Sequence, residues 1–167
     1  MPIVTAPETD IWQGDIYGLV PWAVVSSLEF VQPTGNPAKP YVAAPAPEAG
    51  GRRQLMTSAG RDMGMLITHE CVVDKGERLL TFARVLSISS LRAGQEIHVR
   101  NLSNLQTFHL PAVENLFAES YVDFRLITVV SRDILTGLPK IASLTLEGRE
   151  SLREQLIRYW TRRDEVF

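Results

Sequence analysis

The chain has 167 residues, 45% of them hydrophobic and 22% charged, with 17 Lys and Arg against 19 Asp and Glu. That length can bury a core in one domain without disulfides or metals, and a near-balanced charge with a pI near 5.9 offers no global positive field for nucleic acid. One cysteine excludes an internal disulfide, the first residues lack the basic and apolar segments of a secretion signal, and the longest apolar stretch, around Leu19 to Val25, is broken by Pro21 and too short for a bilayer.

Taken in chain order, residues 1–9 read as a leading arm, because Pro2 and Pro7 favour extended backbone at an edge or on a neighbour. Ile11 to Val20 is the first strand signal, with a bend at Gly14-Asp15, and Ala23 to Val31 reads as a second extended segment after Pro21-Trp22. Residues 32–62 alternate proline with glycine and hold few large apolar residues, so they read as a long loop. Connections usually run to ~4–6 residues, which makes this one a candidate contact surface, with Pro40, Tyr41, Pro45 and Pro47 as its interaction residues.

Met63 to Lys75 is the stretch around which the rest is organised. Met65, Leu66 and Ile67, with Val72 and Val73, suit a strand covered on both faces. Thr68, His69, Glu70, Cys71 and Asp74 fall inside or beside it, and strand alternation would place His69 and Cys71 on one face with Thr68 and Glu70 on the other. Gly76-Glu77 is a turn, and Leu79 to Ile88 pairs back as a hairpin. Ser90 is expected to cap a short helix to about His98, and Asn101 to Pro111 to be a loop followed by a short strand. Tyr121 to Val130 is the clearest late strand, with its drier face at Val122, Phe124, Leu126, Thr128 and Val130, and Lys140 to Leu144 is a short final one. Thr145 then caps a helix over 145–163, whose apolar stripe is Leu152, Leu156, Tyr159 and Trp160 and whose Glu150, Arg153, Glu154 and Arg158 form a solvated face.

The expected fold is therefore mainly β (α+β), a single domain over 1–167: a small, SH3-like, partly open β-barrel with a long Pro-rich loop and a C-terminal α-helix. The order of landmarks resembles the MazF/PemK-like SH3-type barrels. Gly14-Asp15-Ile16 looks like that family's opening strand, and Arg61 before Met65-Leu66-Ile67 like its arginine ahead of an apolar strand. The resemblance implies an endoribonuclease toxin in which Arg61 and Ser87 would be the catalytic arginine and hydroxyl, and only there does nucleic acid enter as a partner. A second resemblance is to a group of uncharacterised actinobacterial and actinophage proteins. It rests on Trp12-Gln13-Gly14-Asp15-Ile16, Thr68-His69-Glu70-Cys71, Tyr121-Val122-Asp123-Phe124-Arg125, Ile141-Ala142-Ser143-Leu144 and Tyr159-Trp160-Thr161-Arg162. It implies a phage or mobile-element setting, in the host cytoplasm or in a phage particle.

His69, Cys71 and Asp74 carry donors that suit zinc, but they are one ligand short of a closed site, so a metal-dependent hydrolase ranks third and neither metal nor cofactor is expected. Cys71 is expected as a buried apolar thiol, and Glu70 as half of an ion pair. Asp123 and Arg125 share a strand face and can form a charge-assisted pair in a polar groove, although a structural ion pair at the barrel rim is the favoured reading. No complete catalytic set and no Gly-rich phosphate loop is present. The leading expectation is a non-enzymatic barrel module that acts through protein-protein contacts or self-association, away from membranes.

Overall fold

A computed structural model of the chain describes residues 4–24, 30–39, 41–43, 45, 54–55 and 58–162, with backbone only for residues 24, 30, 31, 41, 54, 55 and 58. It is mainly β. The strands are β1 (Val4–Thr5), β2 (Ile16–Val24), β3 (Phe30–Pro33), β4 (Tyr41–Ala43), β5 (Gln54–Leu55), β6 (Ser58–Leu66), β7 (Leu79–Ser87), β8 (Thr107–Leu110), β9 (Ser120–Ser131) and β10 (Lys140–Leu144). The α-helices are α1 (Glu70–Asp74), α2 (Gln95–Arg100) and α3 (Leu146–Thr161). The chain divides into two compact units, residues 22–60 and the remainder.

The larger unit is built on a seven-stranded sheet in the order β1-β10-β2-β6-β7-β9-β8. It stays open, with β1 and β8 as its edges, and does not close into a barrel. Both of its faces are dry at the centre. Met65 pairs with Ala83 on one face, where they join Val85, Phe124, Ala142 and Leu144 beneath Leu152, Leu156 and Tyr159 of α3. Leu66 pairs with Phe82 on the other, next to Leu80 and Val130, and Tyr17 meets the Phe82 ring edge-on at 5.8 Å. Full burial of each such side chain stabilises by about 1.5–3 kcal/mol, which is why α3 lies where its stripe meets the sheet.

Several local expectations hold. β10 has the expected bounds, β9 falls over its apolar run, and Thr145 caps α3 by accepting a hydrogen bond from the Gly148 N–H at 3.2 Å. Others need correction. The strand expected over Met63 to Lys75 stops at Leu66, and Glu70–Asp74 is helical. The strand expected from Ile11 begins at Ile16, after a turn, and the helix expected from Ser90 is instead a 3₁₀ turn (Ile88–Ser90) followed by α2, entered through Gly94 at φ 87° with no side-chain cap. Trp160 is not part of the buried stripe, being 63% exposed. The basic residues of α3 are not a solvated face: Arg153 pairs with Glu70, Arg158 donates to the Leu102 carbonyl, and Arg149 is buried.

The stretch expected as a loop over 32–62 contains strands. In the smaller unit β3 pairs antiparallel with β4 (Val31↔Ala43, Pro33↔Tyr41) and with β5 (Phe30↔Leu55). Tyr41 thus begins a strand and Pro45 is exposed, while Pro40 and Pro47 lie outside the described residues.

The arm is also more committed than expected. Val4 pairs with Leu144, and the segment that follows is tied down by side chains. Lys140 Nζ reaches Asp15 Oδ2 at 2.6 Å and donates to the carbonyls of Glu8 and Asp10. Ser143 Oγ donates to Asp15 Oδ1 at 2.7 Å and accepts from the Glu8 N–H, and the Trp12 N–H donates to Asp15 Oδ2. Arg149 pairs with Glu8 at 2.7 Å and lies over the Trp12 ring. Asp15 is wholly buried, and that burial pushes its carboxyl above the usual range despite the four bonds and charges that pull the other way.

Candidate functional site

His69 and Cys71 are adjacent, but as a helix entry rather than a strand face. His69 sits at φ −62°, ψ 142°, the extended geometry of a capping residue, and its Nδ1 accepts from the Cys71 N–H at 3.2 Å. The same nitrogen lies 3.0 Å from Cys71 Sγ, so the thiol is the donor of that contact. Thr68 Oγ1 accepts from the Thr81 N–H at 2.7 Å and fastens the segment to β7, while Glu70 is taken up by Arg153. An imidazole beside a thiol can accept its proton, but no carboxylate orients this ring and its Nδ1 is shared with a backbone amide. Asp74 is exposed at the far end of α1. Among the described residues no group of three or more His, Cys, Asp or Glu side chains is placed to hold a metal ion.

Cys71 is exposed, which overturns its reading as a buried apolar thiol. Cys71→Ser is therefore expected to change stability by less than about 0.5 kcal/mol, the scale of ordinary surface substitutions. Urea denaturation of the two proteins measures this, and titration of the folded wild type with a disulfide reagent should find one reactive thiol per chain. A loss of several kcal/mol would put the side chain back in the core.

Arg61 and Ser87 lie on adjacent strands. The β6/β7 ladder pairs Gly64 with Arg84, so each lies three residues beyond that pair, with the Arg84–Asp62 ion pair between. Ser87 is occupied: its Oγ accepts from the Ser89 N–H and contacts Ser89 Oγ at 2.8 Å, capping the 3₁₀ turn.

A concavity lies beside Arg125, and the chain builds it by a break in β9. The β7/β9 register jumps from Ala83↔Ile127 to Arg84↔Asp123, so Phe124, Arg125 and Leu126 bulge from the ladder. The jump also breaks the alternation expected for this strand, since Tyr121 through Phe124 are all buried. Phe124 drops into the core against Tyr159, and its N–H finds the Gln106 carbonyl. Asp123, its side chain 3% exposed, accepts from the Arg125 N–H (3.0 Å), Nε (2.9 Å) and Nη2 (2.6 Å). Those bonds fix the guanidinium and raise its pKa further, yet its side chain remains 57% exposed.

Facing Arg125 are His98 and Gln95 of α2 and the turn that follows. Asn101 Oδ1 accepts from the Ser103 N–H and Asn104 Oδ1 from the Gln106 N–H, two Asx turns that shape the wall. From α3, Gln155 Nε2 donates to the carbonyls of Asn104 and Thr107, holding that wall to the core. At the other end of α2, Arg100 and His109 both bond Glu119, and the Arg100 bonds above all hold that carboxyl down at about 2.

The Asp123–Arg125 ion pair is formed, with Asp123 buried and Arg125 exposed. The rest of the groove was missed. Asn101 and Asn104 are readable turn signals, but nothing local reveals that their turn packs against a bulge twenty residues on.

No protein-family model matches the chain, and no curated protein matches it. No helix among the described residues is long and apolar enough to cross a membrane.

Proposed function

We propose that this is a non-enzymatic module of a phage or mobile element, a virion or assembly component that works through protein-protein contacts. The observation that carries this reading is a row of exposed aliphatics on paired residues of β7 and β9. Directly paired residues share a sheet face, so Val129 (opposite Thr81), Ile127 (opposite Ala83) and Leu79 (opposite Ser131) point the same way, at 57%, 48% and 61% exposure. Single exposed apolar residues are ordinary, whereas a contiguous row on a flat face marks a contact. Its fellow residues Thr81 and Ser131 are uncharged, so a second copy of the chain can meet this face without opposing like charges. Repeated contacts between copies are what an assembly component needs, and the likeness to actinobacterial and actinophage proteins supports that setting.

The second reading, a MazF/PemK-like endoribonuclease, is favoured by one observation, the adjacency of the strands bearing Arg61 and Ser87. The chemistry would need the arginine to stabilise developing phosphorane charge and the hydroxyl to assist proton transfer. Sedimentation velocity over a concentration series, beside incubation with single-stranded RNA without metal, separates the two. The expected result is concentration-dependent association of the wild type, lost in Ile127→Lys/Val129→Lys with an unchanged melting temperature, and intact RNA. A monomer at every concentration, or RNA cleavage abolished by Arg61→Ala in a folded protein, would overturn the proposal.

A further inference from the structure

We infer that the pocket beside Arg125 binds a small hydroxylated oxyanion, a phosphate monoester or a hydroxycarboxylate. The pocket encloses about 310 Å³, at the lower end of the range for small-molecule sites. Among the described residues no carboxylate lines it, and Asp123 sits behind the guanidinium, engaged through its Nε/Nη2 edge. A guanidinium has a second donor edge, between Nη1 and Nη2, and here it is presented by a side chain already held in place. A planar fork of that kind receives a two-oxygen anion at low entropic cost.

The neighbouring amides add donors of the same sense. Gln95 Oε1 accepts from the Arg92 N–H and Asn104 Oδ1 from the Gln106 N–H, so the carbonyl ends of both side chains are used and their NH₂ groups are left for a ligand. His98 supplies a ring acceptor beside the hydroxyls of Ser103, Thr107 and Tyr121. Ser103 Oγ lies 3.4 Å from the His98 carbonyl and 3.2 Å from His98 Nδ1; with the hydroxyl proton directed to the carbonyl, Nδ1 is the protonated nitrogen and Nε2 is the acceptor for a ligand hydroxyl. Leu91 and Val99 form an apolar wall against which the carbon frame of such a molecule can lie. The lining therefore matches an anion on one side, a hydroxyl on the other and a short carbon chain or sugar between them.

Calorimetric titration and backbone-amide NMR with ribose 5-phosphate, malate, succinate and inorganic phosphate test this on the whole chain. The expected result is saturable binding of ribose 5-phosphate or malate, with shifts at residues 95–106 and 121–125, and at least tenfold weaker binding in Arg125→Lys, which keeps the charge and loses the fork. Which of the two binds tells phosphate from carboxylate. His98→Ala, at an exposed helix position, should weaken the hydroxylated probe severalfold while leaving inorganic phosphate or succinate unchanged. Absence of saturation by any probe below about 10 mM, barely −3 kcal/mol of affinity, would overturn the inference. So would binding that is indifferent to both substitutions, or shifts confined to other surfaces.

Discussion

Lys140→Met is expected to destabilise the protein by about 3–5 kcal/mol at neutral pH, because it strips the partner from a wholly buried carboxylate. Asp15 would keep the Ser143 hydroxyl and the Trp12 N–H, but two neutral donors do not replace an ammonium at 2.6 Å. The same substitution leaves the Glu8 and Asp10 carbonyls without their shared donor, so the arm should loosen together with the loss of stability. Urea unfolding measures the cost, and amide exchange over residues 4–12 reports the arm. Because burial already raises the Asp15 pKa, the loss should shrink as pH falls through that raised value and the carboxyl takes up its own proton. Adding Asp15→Asn should recover part of the stability at neutral pH, since no charge is then stranded. A single variant as stable as the wild type would show that the buried pair contributes nothing.

Gly14→Ala is the second large effect, at about 2–5 kcal/mol. Gly14 has φ 94°, where an L side chain is strained by about 1–2 kcal/mol, and its N–H bonds the Leu66 carbonyl at 2.8 Å, so it cannot relax freely. A Cβ there would lie 2.6 Å from Leu144 Cδ1, and Leu144 is itself fully buried, which adds an overpacking cost of about 1–3 kcal/mol. Thermal or urea unfolding of the variant measures the sum. Gly76→Ala is the control, with a similar positive φ of 72° and nothing within 4 Å of the added Cβ, and it should show the strain alone. Equal costs at both positions would mean that the approach of Leu144 is not what requires glycine at position 14.

These two positions explain why Gly14-Asp15-Ile16 stood out in the sequence. The glycine admits Leu144, the aspartate anchors Lys140 and the arm, and Ile16 is wholly buried in the core. The motif reads as architecture.

The sequence by itself determined the elements whose signals lie within a few residues of each other. Thr145 followed by an acidic first turn and a stripe at helical spacing specified α3, and Pro139 before an apolar run specified β10. The β-branched and aromatic content of Tyr121 to Val130 specified β9, and Glu70 at the end of an apolar run reads as half of an ion pair, which Arg153 completes. A short apolar run does not carry that information. Val72 and Val73 fit a strand or a single helical turn equally well, and the choice fell to His69, whose ring caps the turn. The same lack of a local signal hid the strands of residues 32–62, since β3, β4 and β5 hold two to four residues each and exist through pairing with one another.

Only the tertiary structure decided the rest. Trp160 looked like core because it neighbours Tyr159, yet the sheet meets one side of α3 and leaves that ring outside. Asp15 and Lys140 are far apart in the chain and meet because β2 and β10 are neighbours in the sheet. The Arg125 pocket needs a three-residue bulge in one strand, a turn shaped by two asparagines and a glutamine from α3 to hold them together. Hydrophobic periodicity records which face of an element is buried, but not which other element will cover it, and a site made by three elements is written in none of them singly.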